Sequence, residues 1–277
     1  MRPIDRQTIL VTGATDGLGR AVAGELATRG ATVLLHGRSL DRLEDAVGEL
    51  GAASGPDRLR SYLADFSSLD NVRTLAAAVV RDNERLDVLV NNAGIGAGRN
   101  GRREVSADGY ELRFAVNYLA PFLLTQLLLP MLRRSAPARI VNVASAGQAP
   151  IDFVDVMLER RYDGMRAYAQ SKLAQVMFTL ELAARLVDEG VDVTVNALHP
   201  ASLMNTKMVY ESFGYARSRV EEGVEATLRL ALSPELEGVS GRYFDGRREA
   251  RPHRQAEDED ARGRLWRLSE ELVAPRV

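Results

Sequence analysis

A chain of 277 residues with 45% hydrophobic and 27% charged residues can bury a sizeable core, which excludes disorder as the default reading. Its formal net charge of −2 offers no basic balance for gripping a phosphate backbone, so no nucleic acid partner is expected. Cysteine is absent, which removes disulfides, thiolate nucleophiles and cysteine-ligated metals; with no signal-peptide core in MRPIDRQTIL, a cytoplasmic location is expected.

The first predicted element is TILVT, residues 8–12, a strand that runs into glycines at 13, 17 and 19. A strand ending in glycines and passing into a helix gathers backbone N–H groups at a helix N-terminus, a ready site for phosphate. Glycine also lets a pyrophosphate approach the backbone without meeting a side chain. A tight strand-to-helix connection with no ligand is the alternative. The second strand, TVLLH at 32–36, is followed by Gly37 where an acid would hold a ribose 2′-hydroxyl, and then by Arg38. An arginine there accommodates a 2′-phosphate, so NADP(H) is expected in preference to NAD(H); a surface arginine at a helix start is the alternative. His36 is expected near the adenosine.

The next helix, SLDRLEDAVGEL, follows Ser39 as N-cap. A third strand, RSYLA at 60–64, ends at Asp65, which is placed to meet an adenine ring or to act as a plain turn residue. A helix capped by Ser67 or Ser68 leads to the fourth strand, DVLVN at 87–91. The stretch FAVNYLAPFLLTQLLLPML, 114–132, is apolar enough to suggest a membrane span. Asn117, Pro121, Gln126 and Pro130 interrupt it and arginines flank it, so it reads as a buried or interface helix and no span is expected. In a helix, Pro121 has no N–H for the carbonyl of Asn117. That carbonyl is then free for a water, unless the segment is simply a kinked core helix.

The fifth strand, RIVNVA at 139–144, delivers Ser145 to the C-terminal edge of the sheet, where open α/β folds bind ligands. Ser145 can hydrogen-bond a substrate oxygen there, or cap a helix. Tyr168 and Lys172, four apart, share one helical face. An unperturbed tyrosine, with a pKa of about 10, is a poor base at neutral pH, and a neighbouring ammonium favours its phenolate. Such a phenol exchanges a proton with an alcohol or carbonyl while hydride passes to or from nicotinamide, and a water at Asn117 resupplies it through Lys172. An exposed helical pair is the alternative. The strands VDVTVNAL at 191–198 and GRYFD at 241–245 complete the series.

Short apolar strands alternating with helices predict an α/β fold: a Rossmann-type doubly wound parallel sheet of about seven strands with helices on both faces. Residues 1–246 read as a single dinucleotide-binding catalytic domain. Residues 247–277 read as a charged tail whose Leu265, Trp266, Leu268 and Leu272 form a docking helix, with a solvated charged tail as the alternative for residues 247–262. His199, beside Pro200, reads as a loop residue, and no histidine spacing suggests a metal site.

Taken together these residues resemble the short-chain dehydrogenase/reductase family. TGATDGLG at 12–19 is similar to its glycine turn and NNAG at 91–94 to the motif closing its fourth strand, while Asn117, Ser145, Tyr168 and Lys172 fall in order on its catalytic tetrad. The resemblance implies that Tyr168 is the acid/base and that Lys172 also binds the nicotinamide ribose. It implies cofactor contacts from Gly13, Thr15, Asp16, Gly17, Leu18 and Gly19, from Arg38, Asp65 and Phe66, and from Asn92, Ala93 and Gly94. Further contacts are implied from Tyr168 and Lys172 and from Pro200, Ser202, Leu203 and Thr206. The long gap between Ser145 and Tyr168 resembles the branch of retinol dehydrogenases and protochlorophyllide reductases, which implies NADP. NALHPASLMNT departs from the family's Pro-Gly segment by carrying Ala201 for the glycine, which puts the local backbone path in question.

The expected activity is therefore interconversion of a carbonyl and an alcohol on an apolar small molecule. Gln148, Phe153, Leu203, Met204, Met208, Val209 and Tyr210 are the expected substrate mouth. A non-catalytic NADP-binding sensor could use the same turn but has little reason to keep four polar catalytic groups. An interaction protein would lean on the apolar helices 110–132 and 168–187, a surface that would equally serve a homo-oligomer.

Overall fold

The strands form where β-branched and leucine runs can be buried on both faces, and the computed structural model describes residues 1–98 and 101–275. In chain order the elements are β1 (Thr8–Val11), α1 (Gly17–Thr28), β2 (Thr32–Gly37), α2 (Leu40–Ser54), β3 (Leu59–Leu63), α3 (Leu69–Asp82) and β4 (Val88–Asn91). There follow α4 (Leu112–Phe114), a π-helical turn (Ala115–Leu119), α5 (Ala120–Arg134), β5 (Ala138–Val143), α6 (Gly164–Asp188) and β6 (Val193–His199). The chain closes with α7 (Lys207–Phe213), α8 (Val220–Leu232), β7 (Arg242–Asp245), β8 (Arg248–Ala250) and α9 (Glu259–Val273).

The sheet runs β3-β2-β1-β4-β5-β6-β7-β8, parallel from β3 to β7, with β8 antiparallel to β7. Strand order reverses between β1 and β4, the switch point at which open parallel sheets leave a crevice beyond their carboxyl ends. Every position of β1, β4, β5 and β6 is buried, which is why they lack polar alternation. One core lies under α3, α5, α6 and α9, the other under α1, α2 and α8. This is the doubly wound Rossmann-type fold.

The sheet has eight strands where the sequence predicts about seven. Residues Arg248–Ala250, expected within the charged tail, turn back at Gly246 (φ 56°) and pair Tyr243 with Ala250. A charged edge strand of three residues carries almost no apolar signal, which is why it is not legible. Later in this segment α9 docks across α5 and α6. The Trp266 ring meets Phe122 edge-on at 5.2 Å and Arg185 lies 4.1 Å over it, while Tyr118 and Ser269 share a buried hydrogen bond of 2.6 Å. Part of the apolar surface expected to serve association is thus closed within the chain. The helical stretch Leu112–Arg134 is long and apolar enough to cross a membrane, but 78% of its most apolar window is buried in the fold.

Candidate active site

Loops at the carboxyl ends of β1, β4, β5 and β6 meet over the switch point. After β1, Gly13 (φ 66°) and Gly17 (φ 51°) adopt left-handed backbone that side chains disfavour. A Cβ on Gly13 would lie 2.9 Å from Ala93 Cα, and one on Gly19 would strike the Gly13 carbonyl. Thr12 ties this turn to the loop after β4: its Oγ1 accepts from the Asn92 and Ala93 N–H groups, each at 2.9 Å, and Asn92 Nδ2 donates to the Thr12 carbonyl at 2.8 Å. The result is a turn of glycine backbone, edged by Asn92 and Thr206, at the N-terminus of α1, whose first-turn N–H groups have no intrahelical acceptors. A dinucleotide pyrophosphate fits such a turn.

Beside the glycine turn, His36 is structural. Its Nδ1 accepts from the Gly13 N–H at 3.2 Å, its Nε2 is 3.1 Å from the Ala64 carbonyl, and its ring stacks on Phe66 with centroids 4.2 Å apart. Burial pulls its pKa down to about 4, so the ring is neutral with the proton on Nε2. Phe66 is correspondingly buried against that ring rather than open to a ligand. Asp16 caps α1, accepting from the Gly17 N–H at 2.7 Å, and Arg42 lies 3.4 Å from its other oxygen. Thr15 packs its methyl toward Gly37, where a Cβ would collide with it. Arg38 is exposed just past β2, and Asp65 turns its Oδ1 to the Ser67 N–H at 2.9 Å. The sequence reading missed Arg42, which is legible only once α2 is folded beside the turn.

The four polar groups of the expected tetrad converge. Asn117 sits in the π-helical turn directly before Pro121, where the Ala120 N–H bonds the Ala115 carbonyl five residues back. Its side chain clasps the loop after β4, accepting from the Ile95 N–H at 2.8 Å and donating to the Ile95 carbonyl at 3.1 Å. The same Nδ2 donates to Ser171 Oγ at 2.9 Å, and Ser171 donates to the Tyr168 carbonyl at 2.7 Å, a link that sequence reading missed. Ser145 follows β5; its carbonyl is held by Gln148 Nε2 at 3.0 Å and the Tyr243 hydroxyl at 3.1 Å, and its own hydroxyl hydrogen-bonds Tyr168. Lys172 Nζ lies 5.8 Å from the Tyr168 ring centroid.

The electrostatics differ from expectation. Burial pushes the Tyr168 hydroxyl above its ordinary pKa, opposed by the Ser145 hydrogen bond, and burial pulls Lys172 down to about 7. A lysine near half-charge at neutral pH does not drive the phenol down as a full ammonium would, so desolvation prevails over charge pairing in the protein alone.

Beyond β6 the chain passes buried Pro200, and His199 ends the strand with its Nε2 3.1 Å from Ser202 Oγ. The missing glycine is accommodated: the positive φ of this turn falls on Leu203 (50°), not on Ala201. Thr206 caps α7 through the Val209 N–H and brings its methyl within 3.3 Å of the position a Cβ on Gly17 would take, so this loop closes against the glycine turn. Leu18 is buried beneath it. Of the expected mouth, Met208 lies over Gly96, and Ser212, which was not expected there, lies beside it. Met204 instead packs toward Gly223 of α8, Phe153 lies under Arg264 at 4.4 Å, and Gln148 is spent between Ser145 and the His253 N–H. A cavity of about 590 Å³ lined by Met1, Gln7, Arg139 and Glu237 opens at the amino ends of the strands, away from all of these groups.

The family profile described as short chain dehydrogenase matches residues 7–214. The chain belongs to the short-chain dehydrogenase family. Retinol dehydrogenase 13 of Mus musculus is 40% identical over 287 residues, covering 98% of this chain and 84% of that protein. Retinol dehydrogenase 14 of Homo sapiens is 40% identical over 294 residues, covering 96% and 86%. An uncharacterized protein from Mycobacterium paratuberculosis superposes with a TM-score of 0.79 at 32% identity over 97% of this chain and 93% of its own. The NADP complex of RhlG from Pseudomonas aeruginosa gives 0.70 at 28% identity over 88% and 97%. The protein is thus a short-chain dehydrogenase of the retinol-dehydrogenase branch, an oxidoreductase of carbonyls and alcohols whose fold binds a nicotinamide cofactor.

Proposed function

We propose that this short-chain dehydrogenase interconverts a carbonyl and an alcohol on an apolar small molecule, with NADP(H) preferred and Tyr168 as the acid/base. The observation that carries the reading is the Tyr168 hydroxyl, hydrogen-bonded to Ser145 and one helical turn from Lys172, on the same sheet edge as the glycine turn. A bound nicotinamide supplies or accepts the hydride. Ser145 donates a hydrogen bond to the substrate oxygen. In reduction Tyr168 hands its hydroxyl proton to that oxygen, and in oxidation it takes the proton back. The charged form of Lys172 favours the phenolate and holds the nicotinamide ribose, and the Asn117 carbonyl, which Pro121 leaves without an N–H four residues on, holds the water that resupplies the proton. Gly13, Thr15, Gly17, Leu18 and Gly19 would hold the cofactor's pyrophosphate. Asn92, Ala93 and Gly94, after β4, and Pro200, Ser202, Leu203 and Thr206, after β6, would also hold the cofactor.

Exposed Arg38 supports the NADP preference, because nothing acidic stands at Gly37 to take a 2′-hydroxyl. The NADP complex of RhlG and the names of the retinol dehydrogenases support the cofactor and an apolar substrate class. The test is a panel of apolar aldehydes and ketones, retinaldehyde among them, with NADPH and NADH. NADPH gives a kcat/KM at least about tenfold higher, and Arg38→Asp removes that advantage; equal use of both cofactors by the parent overturns the preference. Tyr168→Phe lowers kcat about 10²-fold or more while NADPH still binds in a fluorescence titration; a fully active Tyr168→Phe removes the acid/base role. The burial of the long apolar helix supports reading it as core rather than as a membrane span. We place the protein in the cytoplasm, and recovery in the membrane pellet after cell fractionation overturns that location.

A further inference from the structure

An ammonium has three N–H donors, and the fold offers Lys172 two acceptors: the Val143 carbonyl at 2.9 Å and Gln175 Oε1 at 2.9 Å. Gln175 lies on α6, three residues past Lys172. It is buried, and its Nε2 has no hydrogen-bond partner among the described residues. Burying an amide with its NH2 unmatched is costly, and an apolar side chain of similar volume avoids that cost. What glutamine alone supplies here is an acceptor for Nζ. Besides these two anchors, Nζ lies 3.5 Å from the position that a Cβ on Gly94 would take, at the loop after β4.

Building on the reading of Lys172 as a partner in proton transfer, we propose that Gln175 is a positioning residue whose side-chain oxygen, with the Val143 carbonyl, aims the third N–H of Lys172 into the cleft. Each element around Nζ presents a definite group. The same helix presents the Tyr168 ring, β5 the Val143 carbonyl, the loop after β4 Gly94, and the π-helical turn the Asn117 amide. Of these only Tyr168 titrates. Burial holds Lys172 near neutrality, so an acceptor that favours the ammonium shifts its charge within the working pH range.

The test uses the direction of two substitutions. Lys172 and Lys207 are the only lysines, so in full-length protein grown with isotope-labelled lysine two side-chain resonances report titration directly, and Lys207→Arg assigns them. Gln175→Leu lowers the Lys172 midpoint by about one pH unit, tenfold in its protonation equilibrium, and Gln175→Glu raises it by at least as much; Lys207 does not move. The pH limb of kcat follows in the same two directions, while KM for NADPH changes less than about threefold. Gln175→Met repeats the apolar arm if Gln175→Leu fails to fold. An unchanged midpoint in every variant overturns the proposal, as does movement in one direction for both, which marks mere disturbance of packing. Opposite shifts in a protein that turns over no substrate leave the Gln175 assignment standing and remove the catalytic reading of Lys172.

Discussion

The neutral ring of His36 holds the Gly13 N–H with one nitrogen and the Ala64 carbonyl with the other, joining the turn after β1 to the end of β3. Protonating Nδ1 would destroy the acceptor for Gly13. The folded ring has a pKa of about 4 against 6.5 unfolded, so between these values the unfolded chain binds more protons and stability falls as pH drops. The loss reaches about 3 kcal/mol at pH 4 and is absent above pH 7. Urea unfolding across this range should show His36→Asn losing much less with acidification than the parent, and parallel curves would remove the assignment. At this scale the sequence placed His36 near the adenosine, but its partners are residues 23 and 28 positions away, which no local pattern reveals. Ser145, Tyr168 and Lys172 were legible because strand end and helical spacing bring them together. Ser171, Arg42 and Gln175 were not, since each acts only through a neighbour.

The element that shapes the site is the π-helical turn Ala115–Leu119 leading into Pro121. One extra residue in the turn sets Asn117 toward Ile95 and Ser171, and such turns recur at functional sites. Sequence alone identifies the proline and its missing N–H but not the wider turn, because an added backbone residue leaves no mark in the hydrophobic pattern. Pro121→Ala returns an N–H to the position four residues after Asn117 and permits ordinary α-helical register. Steady-state kinetics should then show kcat down about tenfold and its pH profile displaced, with NADPH affinity changed less than about twofold. A variant with the parent's pH profile and kcat would show that the turn is only a kink in the core.

Across the whole molecule, α9 makes the charged C-terminal segment part of the body. Trp266, the single tryptophan, lies against Phe122 and Phe178, and Tyr110 donates to the Leu272 carbonyl at 2.7 Å. We therefore expect tryptophan fluorescence and far-ultraviolet circular dichroism to report one coincident unfolding transition. A separate, earlier fluorescence transition would make residues 247–277 an independent tail. The sequence by itself determined the strand–helix alternation, the parallel sheet, the glycine turn and the spacing of Tyr168 and Lys172. Those follow from local rules: burial on two faces, glycine's backbone freedom and the period of a helix. Only the tertiary structure decided the eighth strand, the closing of α5 and α6 by α9, the diversion of Met204 and Gln148 from the mouth, and the lowered pKa of Lys172. Each of these depends on which distant side chains compete for the same space and how much water they exclude, and a linear pattern carries neither quantity.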